Sequence, residues 1–309
     1  MKEYINKLID NLRLKPNQPN QPNQPNQPNK IEIDLILDGG AFSGSYLIGN
    51  LLYFKELERR NIVEIKRFSG CSIGSLLSLI YKLDILEIHS KVYKIIKCNL
   101  KDGNMKSYYK ILKILKKHMP NDFYKSCNNN LFITYFNVNN PEQIVKSTYK
   151  SNNELIQTIK KSSHIPYAIS GKCFYKKKYF DGIYPFIFEK HPHRKVLFLN
   201  LCGNEYILKM LYIKSETNNT ERIMEGILKC HTYFFNERNT HYIINIYDNS
   251  LTAFIQTCIL KLRIFISTLL MYGIQSIKFM DTNNHMRKYS FISNYVKRLI
   301  QYILHYNSN

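Results

Sequence analysis

Apolar residues first settle into a readable pattern at Ile31, where Ile31-Glu-Ile-Asp-Leu-Ile-Leu37 passes from alternation into a continuous apolar run. That is the signature of a strand entering a buried sheet. Glycines follow at once. From Ser45 to Arg60 the residues Leu47, Leu51, Phe54 and Leu57 recur three or four apart, which predicts a helix closed by the charged run Lys55-Glu-Leu-Glu-Arg-Arg60. The order then repeats, with a strand over Val63–Ser69, a sharp turn at Gly70–Gly74 and a buried helix over Ser75–Leu83. Two successive strand–turn–helix units predict an α/β fold with a central, mostly parallel sheet. Further strands are expected at Leu131–Asn137, Val196–Leu201 and Tyr242–Tyr247, and helices over Glu221–Phe235 and Ser250–Met280.

Outside this pattern, residues 1–14 read as a short amphipathic helix, with Tyr4, Ile5, Leu8 and Leu12 at helical spacing. Pro16–Asn29 repeats Pro-Asn-Gln with no apolar residue to bury, so residues 15–30 are expected to be a semi-extended linker without chemistry. Between Lys91 and Lys117, lysines recur at 91, 94, 97, 101, 106, 110, 113, 116 and 117, opposite Ile, Leu and Tyr and interrupted at Gly103. Two readings of this basic stretch stand side by side: a solvated helix packed on the core, or a surface that docks on anionic lipid.

Composition changes the picture in two places. A formal charge of +21 implies attraction to polyanions, either nucleic acid or an anionic membrane, although an AT-rich genome would also enrich Lys, Asn, Ile and Tyr. Tyrosines could stack on bases, but there is no helix-turn-helix, zinc or RNP pattern, so nucleic acid is not an expected partner. Seven cysteines in an odd, scattered set without a C-x-x-C pair fit neither a disulfide framework nor a zinc site, which implies a reducing, intracellular compartment and calls for no metal or cofactor. The charged start Met1-Lys-Glu-Tyr-Ile-Asn-Lys7 lacks the apolar core of a secretory signal. The uncharged stretch Ile264–Ile277 falls short of the ~20 residues of a spanning helix. A cytoplasmic or peripheral-membrane protein with no transmembrane span is the expectation.

Half of the 12 glycines, Gly39, Gly40, Gly44, Gly49, Gly70 and Gly74, crowd into one short window. Such clustering marks tight turns or close approach of backbone to a ligand. Gly70-Cys-Ser-Ile-Gly74 is a G-x-S-x-G between a predicted strand and a predicted helix, the setting of a nucleophile elbow, which would expose the Ser72 hydroxyl near the positive end of the helix; the plainer reading is a Gly/Ser turn. Asp38-Gly-Gly-Ala-Phe-Ser-Gly44 also lies between strand and helix, where outward N–H groups favour negative charge. It is not a P-loop, because Ser45 stands where the lysine must be, and G-G-x-x-x-G is not the dinucleotide fingerprint. A Ser-His-Asp triad using His191 or a later histidine remains open by chain order.

Lys160-Lys-Ser-Ser-His-Ile-Pro166 and Lys178-Tyr-Phe-Asp-Gly-Ile-Tyr-Pro185 follow. With these, the chain resembles the patatin-like phospholipase family over about Ile33 to Pro185: D-G-G-G-x-R-G, G-x-S-x-G, A-S-x-x-x-P and D-G-G/A, in that order. The resemblance implies a patatin-like three-layer α/β catalytic domain over 31–204 and a partly helical C-terminal extension over 205–309. It further implies Ser72 as nucleophile, Asp181 as proton acceptor of a Ser-Asp dyad, and Gly39, Gly40 and Ala41 as oxyanion donors, with no histidine in the mechanism. The implied activity is hydrolysis of fatty-acid esters in phospholipid or other lipid, with peripheral binding to anionic membrane; a catalytically impaired lipid-binding or scaffold protein is the alternative. Three departures matter: Ala41 replaces the third loop glycine, Ser43 replaces the basic residue, and Asp181-Gly-Ile183 lacks a second small residue. His164 is expected to pack or hydrogen-bond, and Cys71 to be a small core residue.

Overall fold

The computed structural model describes residues 1–13, 30–40, 43–100, 105, 107–140, 142–201, 219–282 and 298. The Pro-Asn-Gln linker and Ala41 therefore lie outside the described residues. In chain order the elements are α1 (Lys2–Arg13), β1 (Ile31–Leu37), α2 (Gly44–Arg59), β2 (Val63–Gly70), α3 (Ile73–Lys82), a 3₁₀ turn at Leu86–Ile88, α4 (His89–Leu100), α5 (Tyr108–His118), α6 (Phe123–Cys127), β3 (Leu131–Asn137), β4 (Glu142–Lys146), α7 (Asn152–Ser162), β5 (Tyr179–Phe180), β6 (Arg194–Leu199), α8 (Asn219–Asn236), β7 (Ile243–Asn245) and α9 (Leu251–Thr282).

The continuous apolar run of β1 is explained by its place at the centre. The sheet runs β4-β3-β2-β1-β6-β7, with β5 also on β3. β1 pairs in parallel with both β2 and β6, and β2 with β3, while β4, β5 and β7 add antiparallel. Among the described residues the fold is thus mixed α/β around a seven-stranded sheet whose four central strands are parallel. Alternate β1 side chains enter different cores: Ile33, Leu35 and Leu37 pack with α2, α3 and α8, while Ile36 joins Val196, Phe198, Phe188 and the α9 residues Ala253 and Leu260. Asp34, wholly buried on the Ile36 side, is neutralised by Arg67, whose Nε donates to it at 2.9 Å.

Residues 219–282 are built into this same body. β7 extends the sheet beside β6, and α8 lies along α2, where the Tyr53 hydroxyl meets His231 Nδ1 at 2.9 Å and the Phe54 ring packs edge-on against Phe234. The amphipathic start of the chain docks as well, since Ile5 and Ile9 of α1 are buried in the main core. In the lysine-rich stretch, α5 sinks Ile111, Leu112 and Leu115 into that core and turns Lys113, Lys116 and Lys117 outward. Gly103 lies outside the described residues.

Candidate active site

All four parallel strands point the same way, so their C-terminal ends form one rim, the usual place for a site in an open α/β sheet. β2 reaches that rim at Gly70 and the chain turns into α3 within two residues. Ser72 occupies the turn with φ 50° and ψ −124°, the backbone of the first central residue of a type II′ turn, which favours glycine. Gly70 permits so tight a return because a Cβ there would sit 2.7 Å from the Gly74 carbonyl carbon.

Asp181 arrives by a separate route. β3 carries β4 along one side of Phe136, so β5, which also pairs with Phe136, must lie on the other side, in line with the end of β2. The residues after β5 are thereby delivered to the elbow. Gly182 completes the approach, for a Cβ on it would lie 2.3 Å from the Thr134 carbonyl and 2.9 Å from Cys71 Cβ. The Ser162–Ser163 pair at the end of α7 then bolts the two loops together. Ser72 N–H donates to Ser162 Oγ at 2.9 Å, Gly182 N–H donates to the Ser162 carbonyl at 3.0 Å, and Ser163 Oγ donates to the Ser72 carbonyl at 3.1 Å.

Within this frame Asp181 Oδ1 accepts from Ile183 N–H at 2.9 Å, while Oδ2 is sealed from solvent and makes no hydrogen bond of regular geometry. Burial pushes the carboxyl up to about 6, against the opposing influences of the Ile183 amide, the Ser72 hydroxyl and the Arg263 charge. The Ser72 hydroxyl therefore lies close enough to the Asp181 carboxyl to oppose that rise. Tyr108 at the start of α5 is buried beside the same carboxyl and its hydroxyl is raised well above the ordinary value, chiefly by burial, so it stays protonated.

The glycine loop abuts the elbow: a Cβ on Gly39 would be 2.7 Å from Cys71 Sγ and 3.4 Å from Ser72 Cβ. Of the expected donors Gly39, Gly40 and Ala41, the last lies outside the described residues and the first is already engaged. Gly39 N–H turns back on its neighbour and donates to Asp38 Oδ1 at 2.8 Å, so it is not free for an oxyanion. The reason is electrostatic: Asp38 is a buried carboxylate, and the adjacent amide is one of the donors that satisfy it. Among the described residues nothing accepts from Gly40 N–H. Among the described residues nothing accepts from Ile73 N–H either, the first amide of α3 and directly beside Ser72, a position that motif spacing alone does not single out.

No protein-family model matches the chain, and no curated protein matches it.

The histidines do not assemble with the elbow. His191 and His193 sit together at the N-terminal end of β6, the opposite end of the sheet from Ser72, with His193 N–H on His191 Nδ1 at 3.2 Å. His164 is buried, its ring contacts the Lys172 carbonyl through Nε2 at 3.2 Å, and burial holds its proton affinity down. Among the described residues no histidine hydrogen-bonds to Ser72 or Asp181, and no cluster of three or more His, Cys, Asp or Glu is placed to hold a metal ion.

A residue that local pattern does not reveal completes the site. Arg263 of α9 pairs with Asp38 (Nη2 to Oδ1 2.7 Å, Nη1 to Oδ2 2.8 Å) and donates from Nη2 to the Ile183 carbonyl at 2.7 Å. It thus ties the glycine loop to the Asp181 loop and cancels the Asp38 charge where a second negative charge would repel an oxyanion. Arg263→Gln should cost about 3–5 kcal/mol of stability, the usual penalty for orphaning a buried carboxylate, read as a lower denaturation midpoint. Because Arg263 lowers the Asp181 pKa, the Asp181 carboxyl of the variant should also titrate at higher pH.

Proposed function

We propose that this chain is a patatin-like lipid acyl hydrolase that cleaves fatty-acid esters, with phospholipid as the favoured substrate class, through a Ser72–Asp181 dyad. The observation that carries the reading is the strained Ser72 turn beside the buried Asp181 carboxyl, whose Oδ2 has no hydrogen-bond partner among the described residues. As the Ser72 hydroxyl attacks an ester carbonyl, Asp181 takes its proton, and the tetrahedral oxyanion is met by the Gly40 and Ile73 amides. Collapse returns the proton to the leaving alcohol and leaves an acyl-enzyme on Ser72. Asp181 then deprotonates water, whose attack releases the fatty acid and restores the serine.

A carboxyl near 6 is a better base than a free aspartate and is still largely ionised at neutral pH. Activity should accordingly fall on acidification with a midpoint near pH 6, not near 4, in a kcat/KM profile on a soluble ester whose own ionisation is constant. The cation missing at Ser43 is made up from a distance, since Arg263 reaches Asp38 at the base of the same loop.

One observation favours a second reading, a lipid-binding relic on the same fold: the Gly39 amide is spent on Asp38. Labelling the intact protein with a fluorophosphonate probe, together with fatty-acid release from phospholipid vesicles, separates the two. Stoichiometric labelling lost in Ser72→Ala supports the hydrolase; a folded protein that neither labels nor releases fatty acid supports the relic.

A further inference from the structure

α9 wears its polarity inside out. The face turned to the protein holds Ala253, Leu260 and Met271 but also Gln256, Ser267 and the half-buried Arg263 that grips Asp38. The outward face is mainly apolar: Leu251, Phe254, Leu262, Phe265 and Leu269 are 72%, 67%, 58%, 59% and 55% exposed, with the exposed Cys258 filling the step from Phe254 to Leu262 and Lys261 the charge on that face. Nine of the fourteen large hydrophobic side chains described as exposed belong to this one helix, so they form a continuous stripe and not scattered singles. From Leu251 to Leu269 the stripe is about 27 Å long at 1.5 Å per residue.

What borders the stripe decides what covers it. Phe174 and Phe180 pack in the same cluster as Ile264 and Met271 of α9, and the loop between those phenylalanines exposes Lys176, Lys177 and Lys178. Lys176 lies near enough to Lys160 of α7 to repel it, as do Lys113 and Lys116 of α5, so lysines from three elements share one positive field, which reaches α9 through the Lys176–Lys178 loop. A second copy of a chain carrying +21 would bring like charge against this field. An anionic bilayer complements both features at once. By length and composition Leu251–Gly273, with a mean hydropathy of 1.6, could cross a membrane, but a helix held to Asp38 by Arg263 and lined inside with Gln256 and Ser267 is built to lie along one.

We propose that the outer face of α9, flanked by the Lys176–Lys178 loop, docks the protein on the surface of an anionic lipid bilayer. The helix that enters the lipid is then the helix that braces the glycine loop and the Asp181 loop, which sets the site against the interface. Docking itself is independent of turnover; only its use in hydrolysis rests on the Ser72–Asp181 reading.

The test is co-sedimentation of the full chain, carrying Ser72→Ala to prevent hydrolysis, with vesicles of phosphatidylcholine alone or mixed with phosphatidylserine. Binding to the mixed vesicles is expected. Phe254→Ser, Leu262→Ser, Phe265→Ser and Leu269→Ser combined should weaken it by about tenfold or more, and Lys176→Glu with Lys178→Glu should remove the preference for phosphatidylserine. The single change Phe265→Glu, which leaves the buried face untouched, gives the same readout where the fourfold variant folds poorly. Undiminished binding by these variants, no binding by the parent, or a dimer in sedimentation equilibrium that Phe265→Glu dissolves would each overturn the proposal. With Ser72 restored, turnover of a water-soluble short-chain ester should be equal in parent and Phe265→Glu; absence of that turnover in both counts against the catalytic reading and leaves the vesicle result standing.

Discussion

Ser72→Ala is expected to lower fatty-acid release from vesicles by about 10⁴-fold or more, with the elbow itself unchanged. The shape of the turn does not depend on the hydroxyl that is removed. Ser72 N–H is held by Ser162 Oγ, and the Ser72 carbonyl accepts from Ser163 Oγ at 3.1 Å and Ser75 Oγ at 2.7 Å. Alanine therefore keeps the positive φ and its strain. Ser72→Gly should be equally inactive but more stable by about 1–2 kcal/mol, because glycine adopts φ 50°, ψ −124° without a Cβ penalty. Thermal melts of the three proteins, alongside vesicle assays, show whether the strain and the chemistry reside in the same residue. An active Ser72→Ala protein moves the nucleophile elsewhere and ends the dyad reading.

The elements that announce themselves in the sequence are those whose burial has a period. β1 is covered on both faces and reads as an apolar run; α2 and β3 lie within a residue of the spans expected from spacing. β4 escapes because it is an edge strand, Glu-Gln-Ile-Val-Lys, half-exposed along its length with no alternation to detect, and β5 is only two residues long. Yet β5 is what delivers Asp181 to the end of β2, so the meeting of the two loops is invisible to local pattern even though each loop is legible in its own motif. Arg263 was hidden for a different reason. Its partner Asp38 lies in another part of the chain, and nothing in a single arginine within an apolar helix states which carboxylate it will meet. The Gly39 amide shows the converse limit: a glycine loop says that amides are exposed, but only the buried Asp38 beside it determines that one is already taken.

Asp181→Asn is expected to lose at least about 10³-fold in turnover and at the same time to raise stability at pH 7 by about 1–3 kcal/mol. The stability arm follows from the direction of the pKa shift. The folded carboxyl titrates at about 6, above the ordinary 3.8, because it is buried. Below about pH 4 the group is protonated both folded and unfolded and costs nothing; as pH rises through 6 the folded protein must ionise a buried group that the unfolded chain ionised earlier. Asparagine keeps an oxygen for the Ile183 N–H and removes that cost. The gain of the variant over the parent should therefore be complete above pH 6 and vanish towards pH 4. Taking the difference between the two proteins matters, because Glu32, Glu64 and Glu154, whose pKa values are lowered mainly by hydrogen bonds to Lys66, Lys66 and the Lys150 amide, impose the opposite slope on both alike. A dead variant that melts higher shows a carboxylate kept against the interest of the fold, as chemistry requires. An Asp181→Asn protein that melts lower at neutral pH would mean that Arg263 and the surrounding amides stabilise the carboxylate more than burial opposes it, and Asp181 would then be a structural anion and not a base.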